Sequence, residues 1–368
     1  MSQTERIGHN LAAPTQFLLR PCEPDDLPAL ERFAAASPVG ITTLPNNRAV
    51  LADRLQRSIH SFATEDASGE EIYLFALEDV RDGKVIGISG IAARAGFSDR
   101  FYSFRNEFVV HRSNALGVTT RIHTLHLCHD LTDVTLLISF HVDPAYAKTL
   151  APQLLSRARL LFIAQNPERF ADRIAAESAG IADDSGRCPL WDAVGRQFFG
   201  MDYPAVERLT GGRSKSFIAD LMPPSPVYVP LLPEEAQWAI GQLHPVAELP
   251  FSILLDEGFD TDTYVDIFDG GPTVQERLAM LKSVARARLL KARLVNESAA
   301  SSASPWQLVV NTARQKFRAV LVQQQTQAGE LSLDQATLSA LQIGPGELIL
   351  TAELDDPSQA SPNQGANL

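Results

Sequence analysis

The sequence has few cysteines, no long apolar run and no excess of positive charge, and each of these absences excludes a class of protein. The three cysteines, Cys22, Cys128 and Cys188, are odd in number and widely spaced, so neither a disulfide framework nor a zinc knuckle fits them. No window is apolar for long enough to span a bilayer, and residues 1–16 lack the charged and then apolar pattern of a signal peptide. We therefore expect a cytoplasmic protein with reduced thiols and no metal.

The charge balance limits the choice of partner. The 368 residues carry a formal net charge of −12 and the sequence pI is about 5.2, which argues against a nucleic acid or an anionic membrane as partner. An apolar fraction of 45% and a charged fraction of 21% are typical of a globular protein that stays in solution. The length allows two or three domains of ordinary size.

The order of the predicted elements indicates an α+β fold and not an alternating β-α-β one. A strand and two helices come first, several antiparallel strands follow, and a helix at 150–165 comes near the end of the first half. Asp82-Gly83 is a strong hairpin signal between two of these strands. We divide the chain into a flexible arm at 1–16, halves at 17–180 and 181–297, a linker at 298–305, a small β domain at 306–354 and a disordered tail at 355–368.

Residues 226–273 place titratable side chains close together in sequence. Pro245 disfavours helical geometry at the residue before it, so we expect a helix to end at His244. The negative end of that helix would favour the charged imidazole. A strand at 265–268 and an Asp-Gly-Gly-Pro turn then supply two carboxylates, Asp266 and Asp269. These residues alone favour a structural role, as a surface histidine and a turn chosen for its geometry.

A basic segment at 275–295 stands out from the acidic chain. It is predicted to be helical at first and carries six cations, Arg277, Lys282, Arg286, Arg288, Lys291 and Arg293. Because the chain as a whole is strongly acidic, we interpret this segment as a solvated face or an intersubunit contact and not as a nucleic-acid arm.

Six runs of the sequence, found in order along the chain, form a recognisable set. They are SFHVDP at 139–144, SRARLLF at 156–162, PLWDAVGRQFF at 189–199, FIADLMP at 217–223, GQLHP at 241–245 and YVDIFDGGPT at 264–273. Together they resemble the arginine N-succinyltransferase family, and the resemblance covers roughly residues 17–355. Two further runs, FYSFRNE at 101–107 and LCHDLT at 127–132, are most similar to the alpha subunit of the two-subunit arginine/ornithine form of that family.

The resemblance implies an activity and a fold. The activity is transfer of a succinyl group from succinyl-CoA to the α-amine of L-arginine, the first step of arginine breakdown by the succinyltransferase pathway. The fold is like that of the N-acetyltransferases that use CoA thioesters: a mixed sheet with helices, duplicated or extended, with a small C-terminal β domain. On this basis residues 17–180 and 181–297 are two acyltransferase-like halves, and succinyl-CoA is a co-substrate.

The resemblance also implies roles for individual residues. The histidine of the Gly-Gln-x-His-Pro run is the family's proton donor, which here is His244. Such a residue suits the reaction, because the departing CoA thiolate must be protonated and a positioned histidine can supply the proton. The succinyl-CoA contact of the family falls on Phe140, and we extend the expected contact to His141 and Val142 on the same strand and to Lys148 after it.

The guanidinium group of arginine is best held by carboxylates in bidentate geometry. Glu107, Asp266 and Asp269 are the candidates. For each of them a turn cap or a surface charge remains the alternative. The group that deprotonates the incoming amine is not assigned.

The segment after the strand's Asp-Pro departs from the family. Acyltransferases of this fold are glycine-rich there, so that backbone N–H groups can close around the CoA pyrophosphate. Residues 145–152 contain no glycine, Pro152 removes one donor, and Lys148 offers a single cation instead. Two alternatives therefore stay open: a non-catalytic or supporting alpha subunit that assembles with a paralogous beta subunit, and the same chemistry on ornithine.

Overall fold

The structure, a computed structural model, describes residues 16–37, 44–97, 100–210, 220–222, 224–295 and 304–355. The predicted arm, linker and tail lie almost entirely outside these ranges, as does most of a short element that the sequence predicts at 216–221. Within these ranges no helix is long and apolar enough to cross a membrane.

The strands form one mixed sheet, which with the helices confirms the predicted α+β class. Sixteen described strands lie in the order β14-β15-β11-β16-β12-β13-β1-β2-β3-β6-β7-β10-β9-β4-β5-β8. Only β6 with β7 and β11 with β15 pair in parallel among them. Their bounds are β1 (Phe17–Pro21), β2 (Ile72–Asp79), β3 (Lys84–Ala92), β4 (Ser103–Ser113), β5 (Val118–Cys128), β6 (Thr135–Val142), β7 (Arg173–Glu177), β8 (Val227–Tyr228), β9 (Asp260–Val265), β10 (Pro272–Arg277), β11 (Arg288–Leu294), β12 (Trp306–Asn311), β13 (Ala319–Gln323), β14 (Thr326–Gln327), β15 (Glu330–Leu333) and β16 (Leu348–Leu354).

Helices cover both faces of the sheet around β2. Successive side chains of a strand point to opposite faces, and Leu74 and Ala76 belong to the core under the first two helices, whereas Phe75 and Leu77 belong to the core around the third. The described helices are α1 (Leu27–Ala36), α2 (Arg48–Ala63), α3 (Ala151–Gln165), α4 (Pro189–Ala193), α5 (Gly195–Phe199), α6 (Tyr203–Thr210), α7 (Glu234–Ala239), α8 (Glu248–Glu257), α9 (Lys282–Ala285) and α10 (Gln335–Leu341).

The helix predicted to reach His244 is wrong, and so is the strand predicted at 265–268. α7 ends at Ala239, because Ile240 is extended and Gly241 has a φ of +74°. In the segment predicted as a strand at 265–268, β9 ends at Val265 and a turn follows. The carboxylate of Asp266 accepts the backbone N–H of Phe268 at 2.7 Å, and such a side-chain contact competes with a strand ladder.

The helical start predicted for residues 275–295 is wrong as well. The segment continues β10, passes through a 3₁₀ turn at Leu278–Met280 and the short helix α9, and then forms β11. β11 lies between β15 and β16, so pairing with distant strands overrides the local preference of its residues. β13 in turn pairs with β1 at Leu19 and Ala319. The domain boundaries given above stay predictions.

Helix α3 is buried on all sides. Thirteen of its fifteen residues are buried, including the polar residues Gln153, Ser156, Arg157 and Arg159. It packs against β3 and β6 of the sheet and against α8 and α9 on its other side. A helix enclosed in this way needs partners for every charge it carries.

An ion pair in the interior fastens α3 to α8 and α9. The Arg157 guanidinium, 5% exposed, pairs with the carboxylates of Asp256 and Glu257, and Glu257 is 0% exposed. Glu257 also accepts the Ser283 N–H at 2.9 Å and the Ser283 hydroxyl at 2.6 Å. The carboxylate is therefore fully partnered, and three helices meet at it.

We expect Arg157→Met to destabilise the protein strongly. Removing one partner of a buried pair leaves the other charge uncompensated, which costs about 3–5 kcal/mol. The free energy of unfolding in urea is the measurement. The matched control is Arg196→Met, which breaks an exposed pair with Asp192 on the surface and should cost about 0–1 kcal/mol. Equal losses in the two variants would contradict the role of the buried pair.

Candidate active site

Two parallel strands that part from each other open a cleft in the described part of the chain. β6 and β7 pair only at Thr135 with Ile174 and at Leu136 with Ala175. Beyond these positions residues 136–140 and 176–179 line a cleft of about 400 Å³. Each strand keeps its neighbour on the outer side, β3 and β10 respectively. Along the two facing edges of the described strands, backbone N–H and C=O groups have no partner in the β6–β7 ladder, and these groups are turned toward the cleft.

Charged side chains of both signs line the cleft. We group them by position in the chain as a cationic wall, from residues before position 160, and an acidic wall, from position 177 onward. Glu70 and Glu71 also line the cleft, but Glu71 accepts the backbone N–H groups of Ser68 and Gly69 and is held in its own loop. The cationic wall consists of Arg54, Arg57, Arg94, Arg100 and Arg159, and the acidic wall of Glu177, Glu207, Asp266 and Asp269.

The two predicted turn carboxylates are buried and have structural partners. Asp266 accepts N–H groups within its own turn, and Asp269 accepts the N–H groups of Gly180 and Gly271, each at 2.8 Å. The Tyr203 hydroxyl donates to Asp269 at 3.3 Å. Both carboxylates are therefore turn residues, as the alternative proposed, and both also line the cleft.

The Asp-Gly-Gly-Pro turn is tightly packed. A Cβ at Gly271 would lie 2.1 Å from the carbonyl oxygen of Ser178, and one at Gly180 would lie 2.6 Å from that of Asp269. Gly270 has a φ of +72°, which other residues rarely adopt. The glycines thus allow the turn to approach the end of β7 closely, and this approach presents Asp269 to the cleft.

His244 lies at the beginning of a helix, so the placement at a helix C-terminus is wrong. Its backbone N–H donates to the carbonyl of Ala179 at 2.9 Å, and its Nδ1 accepts the N–H of Val246 at 3.3 Å. A short 3₁₀ turn, Pro245–Ala247, then leads into α8. His244 itself does not line the cleft, but its neighbours Ala179, Val246 and Ala247 do, so the half-buried residue lies next to cleft residues.

Of the four expected CoA contacts, the structure places one in the cleft. Phe140 lines it, whereas His141, Val142 and Lys148 do not. Lys148 is exposed in the loop after β6. His141 faces α1, where its Nδ1 lies 3.3 Å from the Ser37 hydroxyl, and burial lowers the pKa of this imidazole to about 4.

The loop that leads into α3 uses its amides internally. Asp143 at its head is paired with Lys84 at 3.2 Å and accepts the Ala145 N–H at 3.1 Å. Donors bonded in this way are not free for a phosphate. The other internal bonds run from the N–H groups of Tyr146, Ala147, Thr149 and Ala151 to oxygens of Asp143, Pro144, Tyr146 and Thr149.

Glu107, the third candidate for the guanidinium group, lies apart from the other two. It is on β4, where it pairs with Arg105 at 3.1 Å and approaches His126 at 3.8 Å. It does not line the cleft. The structure brings Asp266, Asp269 and Phe140 together around the cleft and leaves Glu107 outside it.

Sequence reasoning missed the arginines of the cationic wall. Arg54 is in α2 and Arg159 in α3, and both are buried. Burial lowers the pKa of Arg54 to about 10 and that of Arg159 to about 9. The available signal was a pair of arginines, Arg157 and Arg159, inside a helix that is otherwise mostly apolar, because charges are rarely placed there without a partner or a ligand.

Comparison with known proteins gives consistent descriptions. Residues 17–283 match the family described as arginine N-succinyltransferase beta subunit. A Pseudomonas aeruginosa protein described as arginine N-succinyltransferase subunit alpha is 46% identical over 332 residues, 90% of this chain and 97% of the relative. A Salmonella schwarzengrund arginine N-succinyltransferase is 36% identical over 337 residues, 92% of this chain and 97% of the relative.

A solved structure supports the same comparison. It is described as arginine/ornithine succinyltransferase subunit AI from Pseudomonas aeruginosa. The TM-score is 0.83 at 42% identity, with 92% of this chain and 99% of that chain covered.

We expect His141 to make the protein less stable in acid. Its pKa in the folded state, about 4, lies below the ordinary value of 6.5, so the unfolded chain takes up the proton first as the pH falls. Stability is then lost between about pH 6.5 and pH 4, by about 2 kcal/mol at pH 5. The measurement is the free energy of unfolding at pH 7 and at pH 5.

In His141→Gln the difference between the two pH values should shrink by about that amount. His60→Gln, which replaces an exposed histidine of α2, is the control and should leave the difference unchanged. An unaltered difference in His141→Gln would show that this histidine does not titrate as the burial implies.

Proposed function

The chain belongs to the arginine N-succinyltransferase family, and from that premise we propose that it transfers the succinyl group of succinyl-CoA to the α-amine of L-arginine. The reaction would take place in the cytoplasm as a step of arginine catabolism. The observation that carries the proposal is the cleft with its two walls. The cationic wall suits an anionic CoA thioester, and the acidic wall suits the cationic amino acid that accepts the acyl group.

The chemistry requires two proton transfers. The neutral α-amine of arginine attacks the thioester carbonyl carbon, a C–N bond forms, and the C–S bond breaks. CoA leaves as a thiolate and takes up a proton, while the nitrogen loses one. Two reactants with opposite charges, each held in the same cleft by side chains of the other sign, are brought together, and such positioning supplies much of the rate gain in reactions of this kind.

For the proton donor we propose His244. It is hydrogen-bonded to two residues that line the cleft, Ala179 and Val246. The Val246 N–H occupies Nδ1, so the proton would move at Nε2. As an acid the ring must carry protons on both nitrogens, and the 3.3 Å contact to Val246 has to open when the second proton arrives.

For the fold we propose the N-acetyltransferase-like arrangement in the first half. What supports it is a pair of parallel strands, β6 and β7, that are joined through α3 and part beyond their second pair of residues. Binding between diverging strands would place the thioester against Phe140 and the backbone of β6. Asp266 and Asp269 would hold the guanidinium group.

A second candidate is a supporting alpha subunit of a heteromer with a paralogous beta subunit. Two observations favour it. The loop into α3 has no glycine and uses its amides internally. The β4–β5 hairpin carries exposed apolar side chains, Phe108 at 51%, Val110 at 62% and Leu116 at 78%. Such a surface suits a protein partner.

We expect the purified chain to release CoA from succinyl-CoA fastest with arginine as acceptor. Release of free thiol is the measurement, and ornithine and lysine are the competing acceptors. The shorter side chains of these amines carry a compact ammonium that cannot make the bidentate bonds of a guanidinium. Faster turnover of ornithine would contradict the arginine preference and leave the reaction class intact.

Calorimetry with succinyl-CoA separates the enzyme from the supporting subunit. We expect the single chain to bind the thioester, because the cationic wall lies entirely within it. Absence of binding by the single chain, with activity only after a glycine-bearing partner is added, would establish the second candidate.

We expect His244→Gln to lower kcat by about 10²–10⁴-fold, the usual contribution of general acid–base assistance. The unfolding curve should match that of the wild type, since His244 is only half-buried. His60→Gln is the control for loss of a histidine elsewhere. An acid makes kcat fall with rising pH and a base makes it rise, so the slope tests the proposed role. Wild-type turnover in His244→Gln would rule it out.

A further inference from the structure

Arg159 is a buried cation that faces the cleft without a carboxylate partner. The residue is 2% exposed and lines the cleft. Its guanidinium donates to the Ser156 carbonyl at 3.1 Å, the Ser156 hydroxyl at 3.2 Å and the Gly90 carbonyl at 3.4 Å. Within the described part of the chain no acidic side chain forms an ion pair with it. Neutral oxygens alone compensate this charge.

Arg157, two positions earlier on the same helix, is a buried arginine with a structural role, and it has carboxylate partners. Residues two apart point about 200° apart around a helix, so the two guanidinium groups leave α3 on opposite sides. Arg157 is held by Asp256 and Glu257. Arg159 is equally buried and has neither. On the side of α3 that faces the cleft, the buried arginine therefore has no carboxylate partner among the described residues, whereas the arginine on the other side has two.

The surroundings of Arg159 hold its guanidinium in a fixed orientation. The ring of Phe140, itself a cleft residue, lies 5.7 Å from the Arg159 Cζ, which helps to hold the guanidinium in place. The Gly90 carbonyl of β3 accepts one of its N–H groups at 3.4 Å. A planar fork fixed in this way matches a carboxylate in bidentate geometry.

We propose that Arg159 binds the terminal carboxylate of the succinyl group and so selects succinyl-CoA over CoA thioesters with neutral acyl chains. The inference depends on the proposed succinyl transfer. Arg159 belongs to the cationic wall of the cleft, and its positive charge suits the anionic acyl donor and not the cationic acceptor. A site built to pair with a charged group also rejects a donor that lacks it, because the buried cation is then left without its anion.

The test compares succinyl-CoA with butyryl-CoA, in which a methyl group replaces the carboxylate. Dissociation constants from calorimetry and kcat/KM with arginine are measured for the wild type, Arg159→Met and Arg159→Lys. We expect the methionine variant to bind and use succinyl-CoA about 10–100-fold less well. Its values for butyryl-CoA should stay near those of the wild type. The lysine variant, which keeps the charge and loses the fork, should fall between.

Arg48→Met is the matched control, because it removes an exposed arginine paired with Glu31 on the surface. It should leave the preference between the two donors unchanged. Melting temperatures show whether each variant is folded. If Arg159→Met does not fold, the lysine variant carries the test, and a full wild-type preference for succinyl-CoA in it would overturn the proposal.

Other results would overturn the assignment in distinct ways. Equal losses with both donors would show that Arg159 does not contact the acyl carboxylate. Equal losses that disappear when agmatine, which lacks the α-carboxylate, replaces arginine would assign Arg159 to the acceptor. Equal binding of the two donors by the wild type would refute the selectivity, even if arginine is turned over. Failure of the proposed function is different, since no donor then gives turnover.

Discussion

The interaction on which the site depends is the short parallel pairing of β6 with β7. Two residue pairs hold the strands together, and beyond them each strand follows its outer neighbour in a twisted sheet. Parallel strands need a crossover, which here runs through α3. The cleft, the helix that backs it and the two charged walls all follow from the point at which this pairing ends.

Helix α3 shows how one buried element serves both the fold and the site. Its two arginines lie in the same interior, where an uncompensated charge is costly. At Arg157 the cost of burying the charge is offset by the carboxylate of Glu257, and this ion pair joins three helices. At Arg159 three neutral oxygens accept from the guanidinium, and burial depresses the pKa of that side chain to about 9. Rigidity on one side of the helix is what allows a strained charge to persist on the other.

The sequence predicted elements well where local pattern decides them. The helix predicted at 150–165 is α3, which begins one residue later and ends at the predicted residue, and the hairpin predicted at Asp82-Gly83 joins β2 to β3. Prediction from the sequence failed where distant contacts or side-chain hydrogen bonds determine the local structure. β11 is fixed by its pairing with β15 and β16, and the turn at 266–269 is fixed by hydrogen bonds to the Asp266 carboxylate. The charged walls had no local signal either, since their residues range from position 54 to position 269 and only the folded sheet brings them together.

The placement of His244 changes the physical account of its chemistry. A helix N-terminus opposes positive charge on a nearby group, whereas the expected C-terminus would have favoured it. An imidazole that acts as an acid at this position therefore needs another source of negative potential. In the proposed reaction the thiolate that develops on CoA as the C–S bond breaks would supply it at the moment of proton transfer.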